Sequence, residues 1–172
     1  MRSKFVQYYV EGEDEEKLIH TLKSDLGVIR PGKVQKVNVI EHDLSGARLM
    51  TLRPGTMVVL IFDTDTRQVN ILNRNLDKIK MCSAVSEIVT IPQILNLEDE
   101  LIYSCNIKKI TELLGSKSKK EFKTDIIRTN NLANKLIEHQ FDINRLWCQQ
   151  PVPPYQNIKN QAEKIKLSGK YI

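Results

Sequence analysis

The chain has 172 residues, of which 41% are hydrophobic and 27% charged, a composition ordinary for a globular chain with a real core. No apolar run approaches the ~20 residues of a membrane span, and the first residues lack the features of a signal peptide. We therefore expect no membrane association and a cytoplasmic location. The three cysteines and three histidines are widely spaced, which argues against a disulfide framework, a structural zinc site and a histidine metal site.

The net charge of +5 is unevenly distributed along the chain. Residues 1–107 carry 13 Lys and Arg against 15 Asp and Glu, whereas residues 108–172 carry 13 against 6. An acidic first part and a basic last part suit a metal site beside a surface that binds a polyanion. A lysine-rich, solvated helical tail explains the charge alone equally well.

The first two predicted elements are a strand over residues 4–10 and a helix within residues 11–27. Leu18, Leu22 and Leu26 recur every four residues in that helix, which indicates one buried face. Gly27 suits the end of the helix.

Three more strands are predicted at residues 34–40, 57–62 and 84–91, the last ended by Pro92. Residues 57–62 have almost no polar alternation, which indicates a strand buried on both faces. A helix is predicted over residues 67–81. Strands that alternate with helices predict an α/β fold with a parallel-rich sheet flanked by helices.

The chain is predicted to be mostly helical beyond residue 93. Residues 97–105, 107–114, 119–128 and 130–140 have helical patterns, whereas the QPVPPY segment cannot be helical throughout. We expect an α/β domain at residues 1–105 and a basic, mostly helical extension at residues 106–172 that packs on it. The glycine-rich phosphate loops of P-loop and dinucleotide-binding proteins are absent from the sequence.

Carboxylates follow two of the predicted strands. Glu11 comes directly after the first strand, and Asp63 and Asp65 follow the third. Sites in parallel sheets form beyond the carboxyl ends of the strands, so these acids meet at one edge if the two strands are neighbours. Carboxylates held close together repel each other unless a cation or a proton lies between them. The simpler alternative is a turn after the strand, with Asp65 capping the next helix.

The stretch YYVEGEDEEKLI, followed by VLIFDTDT, resembles the Toprim domain of topoisomerases, bacterial primases, small ribonucleases that mature ribosomal RNA, and OLD-type nucleases. The resemblance covers roughly residues 4–105. Each motif is short, and the resemblance depends on their order at strand ends within an α/β pattern. Because the chain lacks the ATPase, zinc-binding and polymerase parts of larger members, it is most similar to small stand-alone or OLD-type Toprim nucleases.

The resemblance implies a role for each matching acid. Glu11 corresponds to the glutamate that serves as metal ligand or general acid/base, and Asp63 and Asp65 to the metal-binding pair, which makes these three the expected catalytic residues. Glu15 corresponds to a second acid of the nuclease branch. Glu98, Asp99 and Glu100 are further candidate ligands, although acids at a helix start also explain them. The expected cofactor is Mg²⁺ or Mn²⁺, since hard cations prefer carboxylate oxygens.

Four lysines are expected to bind nucleic acid through its phosphates: Lys117, Lys119, Lys120 and Lys123. They act as point charges without interleaved aromatic residues, so we expect phosphate contacts without sequence recognition. The alternative is a solvated loop.

Two functions remain open at this point. The first is metal-dependent phosphodiester hydrolysis of DNA or RNA. The second is a non-catalytic Toprim-like module that binds nucleic acid or a protein. The presence of Glu11, Asp63 and Asp65 together favours the first. Nucleic acid is the expected partner in both, and a protein partner such as an ATPase subunit is a further possibility.

Overall fold

The computed structural model of the protein describes residues 5–167. The predicted first strand includes Lys4, and the two predicted domains include residues 1–4 and 168–172. These positions lie outside the described residues. The strands are β1 (Phe5–Val10), β2 (Lys33–Lys36), β3 (Thr56–Asp63) and β4 (Val85–Gln93). The helices are α1 (Glu13–His20), α2 (Gly46–Met50), α3 (Asn70–Lys80), α4 (Leu97–Ser104), α5 (Thr111–Leu114), α6 (Lys119–Arg128) and α7 (Leu132–Glu138).

The four described strands form one sheet in the order β2-β1-β3-β4, and every pair is parallel. The predicted α/β fold with a parallel sheet flanked by helices is thereby confirmed. In the register of the central pair, Tyr9 of β1 lies opposite Leu60 of β3. The carboxyl ends of β1 and β3 are therefore neighbours. At the end of β3, Asp63 lies opposite Gln93 of β4.

Both faces of β3 are buried, as the sequence predicts. Val59 and Ile61 belong to one hydrophobic cluster, which also contains side chains of α1 and of the chain beyond residue 105, such as Phe122 and Trp147. Phe62 belongs to the cluster on the opposite face, with side chains of α3 and residues 39–44. Covering both faces removes the strand from water and accounts for its apolar run. The predicted division of the chain at residue 105 stays a prediction.

The strand predicted at residues 34–40 is shorter in the structure, where β2 spans Lys33–Lys36. The side-chain oxygen of Asn38 accepts hydrogen bonds from the N–H groups of Ile40 (3.0 Å) and Glu41 (3.2 Å). An asparagine that binds the backbone N–H groups just beyond it forms a turn in place of a strand. The chain therefore leaves the sheet soon after β2 and passes close to Glu11.

The helix predicted within residues 11–27 begins at Glu13 and continues from His20 into a π-helical turn at Thr21–Asp25. Gly12 precedes the helix with extended backbone angles, so the chain makes its bend between β1 and α1 at Glu11 and Gly12. Gly27 ends the helical segment with a φ of 62°, which confirms the predicted stop and favours glycine.

β4 continues past Pro92 to Gln93, whereas the sequence predicts that the strand ends at the proline. Proline is tolerated because β4 is an edge strand. The N–H group that proline lacks is there not needed for a hydrogen bond to a neighbouring strand. Among residues 5–167, the helices include none long and apolar enough to cross a lipid bilayer.

Candidate functional site

Glu11 and Asp63 meet at the carboxyl ends of the two central strands. Glu11 is the first residue after β1, and Asp63 is the last residue of β3. The Oε1 atom of Glu11 accepts a hydrogen bond from the backbone N–H of Asp63 at 3.1 Å. The predicted convergence of the two acids at one edge of the sheet is therefore present in the structure.

Glu15 lies one helical turn beyond Glu11 and is 5% exposed. Its Oε2 atom accepts a hydrogen bond from the N–H of Gly12 at 2.9 Å, which secures the start of α1. A Cβ atom on Gly12 would lie 2.8 Å from Asp14 Oδ1 and 3.0 Å from Glu15 Oε2. The glycine thus leaves the space that the buried Glu15 carboxylate occupies.

Asp63 is held by an amide group from the neighbouring strand. Its Oδ1 atom accepts a hydrogen bond from Nε2 of Gln93 at 2.7 Å. Gln93 is fully buried and lies opposite Asp63 in the sheet. This contact fixes one oxygen of Asp63 and stabilises the negative charge of its carboxylate.

The buried Glu15 and the half-buried Glu11 and Asp63 have raised pKa values because their charged forms lose water. Burial raises the pKa of Glu11 to about 7, with the Asp63 N–H opposing the rise and nearby acids adding to it. Burial, followed by the charge of Glu11, raises the pKa of Asp63 to about 8. Burial, followed by the contact with Asp14, raises the pKa of Glu15 to about 9. Nearby carboxylates add to the effect of burial, so a bound cation would favour the charged forms of these acids.

Asp65 lies on the exposed turn after β3, two residues beyond Asp63. Its charge contributes to the raised pKa of both Glu11 and Asp63, so it lies near them. The buried hydroxyl of Tyr155 contacts the Thr66 hydroxyl at 3.1 Å. Burial first, and then the nearby acids, raise the pKa of Tyr155, which places this distant part of the chain beside the same edge of the sheet.

Glu98 of α4 is buried and faces two of the predicted lysines. Its Oε1 atom lies 3.4 Å from Nζ of Lys123 and 3.7 Å from Nζ of Lys119. Within the described chain this oxygen makes no hydrogen bond. The charge of Glu98 also raises the pKa of Asp63, so Glu98 lies between α6 and the Glu11–Asp63 pair.

The four predicted lysines do not all face the acids. The side chains of Lys119 and Lys123, both on α6, approach Glu98. Burial opposes the charge of Lys123, but Glu98, Asp14 and Glu15 outweigh it and raise the Lys123 pKa. Lys117 and Lys120 are exposed, and the backbone N–H of Lys117 donates to Glu121 at 2.6 Å. All four lysines are exposed, and Lys119 and Lys123 are the pair that approaches Glu98.

The sequence patterns miss two residues that support Asp63. The indole N–H of Trp147 donates to Oε1 of Gln93 at 3.1 Å, and the backbone N–H of Trp147 donates to Oε2 of Glu100 at 3.0 Å. Oε1 of Glu100 accepts from the N–H of Ile94 at 2.8 Å, directly after β4. The position of Gln93 at a strand end is a signal that identifies it, whereas nothing near Trp147 in sequence does.

A polar cleft of about 540 Å³ opens beside Glu11. Its lining includes Lys36, Arg48, His42 and Glu41, which come from β2, α2 and the turn after β2. The cleft gives a polar ligand room to approach Glu11.

The donor atoms at the site suit a hard divalent cation. Burial, followed by nearby acids, raises the pKa values of Glu11 and Asp63, and a bound cation would favour their charged forms. A buried oxygen of Glu98 makes no hydrogen bond within the described chain, but it lies within 3.7 Å of two lysines. However, among residues 5–167 no three side chains of His, Cys, Asp or Glu converge closely enough to hold a metal ion as they stand. Mg²⁺ commonly uses one or two protein carboxylates and completes its shell with waters and substrate phosphates. Glu11 and Asp63 fit such a site.

Comparison with known proteins does not identify the family. No protein-family model, curated protein or solved structure matches the chain. The Toprim resemblance therefore stays a prediction, and the function has to be argued from the site.

Proposed function

We propose that this protein is a Mg²⁺- or Mn²⁺-dependent nuclease that hydrolyses phosphodiester bonds in DNA or RNA. The observation that supports the proposal is that Glu11 and Asp63 are held together at adjacent strand ends by a 3.1 Å hydrogen bond, where burial raises the pKa of both carboxyl groups. A bound cation of this kind supplies charge stabilisation to a phosphodiester and activates water. The Toprim-like order of the two motifs agrees with this proposal.

In this proposal, each residue of the site has its own role. Asp63, fixed by Gln93, and Glu11 hold the cation. Alternatively, Glu11 accepts a proton from water and leaves the cation to Asp63, since burial raises the pKa of Glu11 to about 7, near neutral pH. Asp65 adds negative charge at the exposed side, and Glu15 secures the Glu11–Gly12 bend. Lys119 and Lys123 contact the phosphates of the nucleic acid on the side of Glu98.

The test is incubation of the protein with mixed single- and double-stranded DNA and RNA, with Mg²⁺, Mn²⁺ or a chelator. We expect cleavage that requires the cation and falls at least about 100-fold in Glu11→Gln and Asp63→Asn, since positioned acids contribute about that much. Glu138→Gln is the matched control, because it removes an exposed acid that pairs with Lys135 on α7. Cleavage that persists in both site variants would refute the proposal.

One observation favours a second candidate, the non-catalytic binding module. No three metal-ligating side chains converge in the described part of the chain, as a preformed multi-carboxylate metal site would require. The same incubation separates the two candidates. The binding module retains nucleic acid in Mn²⁺ without cutting it, and the Asp63→Asn variant then binds as well as the unmodified protein.

A further inference from the structure

Three buried groups form a continuous path of hydrogen bonds that ends on Asp63. The indole N–H of Trp147 donates to Oε1 of Gln93 at 3.1 Å, and Nε2 of Gln93 donates to Oδ1 of Asp63 at 2.7 Å. Trp147 is 1% exposed and Gln93 is fully buried. The path joins residues that are 30 and 54 positions apart in the sequence.

The chemistry of the two neighbours fixes the orientation of the Gln93 amide. An indole N–H is only a donor, so it binds the carbonyl oxygen of the amide. With a cation bound at the site, Asp63 is ionised and only accepts hydrogen bonds, so it binds the NH₂ group. Exchanging the two ends of the amide would break both contacts. Trp147 therefore determines which end of Gln93 faces Asp63.

The position of Trp147 is itself determined by the chain around it. Its backbone N–H donates to Oε2 of Glu100 at 3.0 Å, and its carbonyl oxygen accepts from Nδ2 of Asn160 at 2.9 Å. Glu100 also accepts the N–H of Ile94, next to Gln93. The indole is consequently held in a fixed relation to the end of β4.

We infer that Gln93 is a positioning residue for the metal site and that Trp147 acts through it, by holding the amide in the orientation that aims one oxygen of Asp63. This inference rests on the proposed cation site at Glu11 and Asp63. It goes further by assigning a role to two residues outside the acidic motifs. It also makes the single tryptophan of the chain an internal reporter of that site.

The test measures Mn²⁺ affinity by titration calorimetry in full-length variants. Gln93→Met keeps the length of the side chain and removes both hydrogen bonds, and we expect a loss of roughly 10- to 100-fold, as for other residues that orient metal ligands. Trp147→Phe leaves the amide free to turn and should lose about 10-fold. The double variant should lose no more than Gln93→Met alone, because Trp147 acts only through Gln93.

Thr90→Val is the matched control. Thr90 is a buried residue on the same strand whose hydroxyl donates to the carbonyl of Lys159 at 2.7 Å, away from Asp63. This variant should retain the affinity of the unmodified protein even if its melting temperature falls. A comparable loss of affinity in Thr90→Val would show that any weakening of β4 suffices, which would overturn the positioning role.

The emission of Trp147 provides a signature that a purely structural role would not give. Saturating Mg²⁺ should shift the emission of the unmodified protein and of Thr90→Val, but not that of Gln93→Met.

If the unmodified protein binds no Mn²⁺, the proposed function fails and this inference fails with it. If it binds and Gln93→Met binds equally well, this inference alone is wrong. If Gln93→Met does not fold, Trp147→Phe provides the test. An undiminished Mn²⁺ affinity in Trp147→Phe would then refute the inference.

Discussion

The carboxylate of Glu11 and the backbone N–H of Asp63 are joined by a 3.1 Å hydrogen bond between residues 52 positions apart. The parallel pairing of β1 and β3 produces this contact, since it brings the carboxyl ends of both strands to one edge. The bond orients Glu11 towards Asp63 although their charges repel. Such an arrangement is stable without a cation only while protons occupy part of the site, because burial raises both pKa values.

A divalent cation should stabilise the fold. At a cation concentration 100 times the dissociation constant, binding adds about 2.7 kcal/mol to the free energy of unfolding. For a chain of this size that corresponds to a rise of roughly 5–10 °C in melting temperature. The measurement is a thermal melt at pH 8 with Mg²⁺ or Mn²⁺ against a chelator.

Asp63→Asn provides the informative comparison in that melt. The variant removes a buried charge but keeps a side chain of the same size, so it should melt at or above the unmodified protein in chelator. It should then gain nothing from the cation. Glu138→Gln, on the surface of α7, should keep the full rise. An equal rise in Asp63→Asn would place the cation elsewhere.

Stability in chelator should fall as the pH rises. Folding raises the pKa values of Glu11, Asp63 and Glu15 to about 7, 8 and 9, from the ordinary value of about 4. The folded state therefore binds more protons than the unfolded chain between about pH 4 and pH 9. The contribution of these acids is complete below pH 4 and is lost towards pH 9.

Glu15→Gln separates one acid from the others. Glutamine keeps an oxygen for the N–H of Gly12 but carries no charge. The variant should be more stable than the unmodified protein at pH 9, and its stability should depend less steeply on pH. Urea unfolding at a series of pH values measures both effects. Parallel pH curves for the two proteins would contradict a buried, uncompensated Glu15.

The site is predictable from sequence where it depends on strand ends, and unpredictable where it depends on distant packing. The positions of Glu11 and Asp63 follow from an apolar strand ending in an acid and from the parallel pattern. The contact of Trp147 with Gln93 joins residues 54 positions apart, and no local periodicity encodes it. The shortening of β2 follows from one asparagine side chain, a local competition that strand propensity does not weigh.

The lysines also combine a feature that the sequence predicts with one that depends on the fold. Their number and spacing predict a positive segment, but only the helical phase of α6 determines that Lys119 and Lys123 face Glu98. Lys117 precedes the helix, and Lys120 lies on an exposed face. Phosphate binding by the four lysines stays a prediction, and the structure shows that Lys119 and Lys123 approach Glu98.

Gly32 should be intolerant of a side chain. A Cβ atom there would lie 2.6 Å from the carbonyl oxygen of Val6 and 2.8 Å from its Cβ, both on β1. Because a strand backbone cannot yield as a flexible side chain does, Gly32→Ala should cost about 1–3 kcal/mol of unfolding free energy. Gly46→Ala is the control: nothing lies within 4 Å, and alanine favours α2 by up to about 1 kcal/mol. Equal stability of the two variants in urea would contradict the tight contact.

The lysines of α6 should contribute to nucleic-acid binding through charge alone. Lys119→Gln/Lys123→Gln removes the two that face Glu98, and Lys117→Gln/Lys120→Gln removes the two exposed ones. Each double variant should reduce the slope of log affinity against log salt by about 1.4–1.8, because each lysine neutralises one phosphate. The first pair should also reduce cleavage of bound substrate, since its lysines lie beside Glu98, whose charge reaches Asp63. Lys80→Gln/Lys164→Gln removes the same charge from lysines that pair with Asp77 and Glu87, away from the acids. If this control changes the slope as much as the α6 variants, the contribution is one of net charge and not of α6.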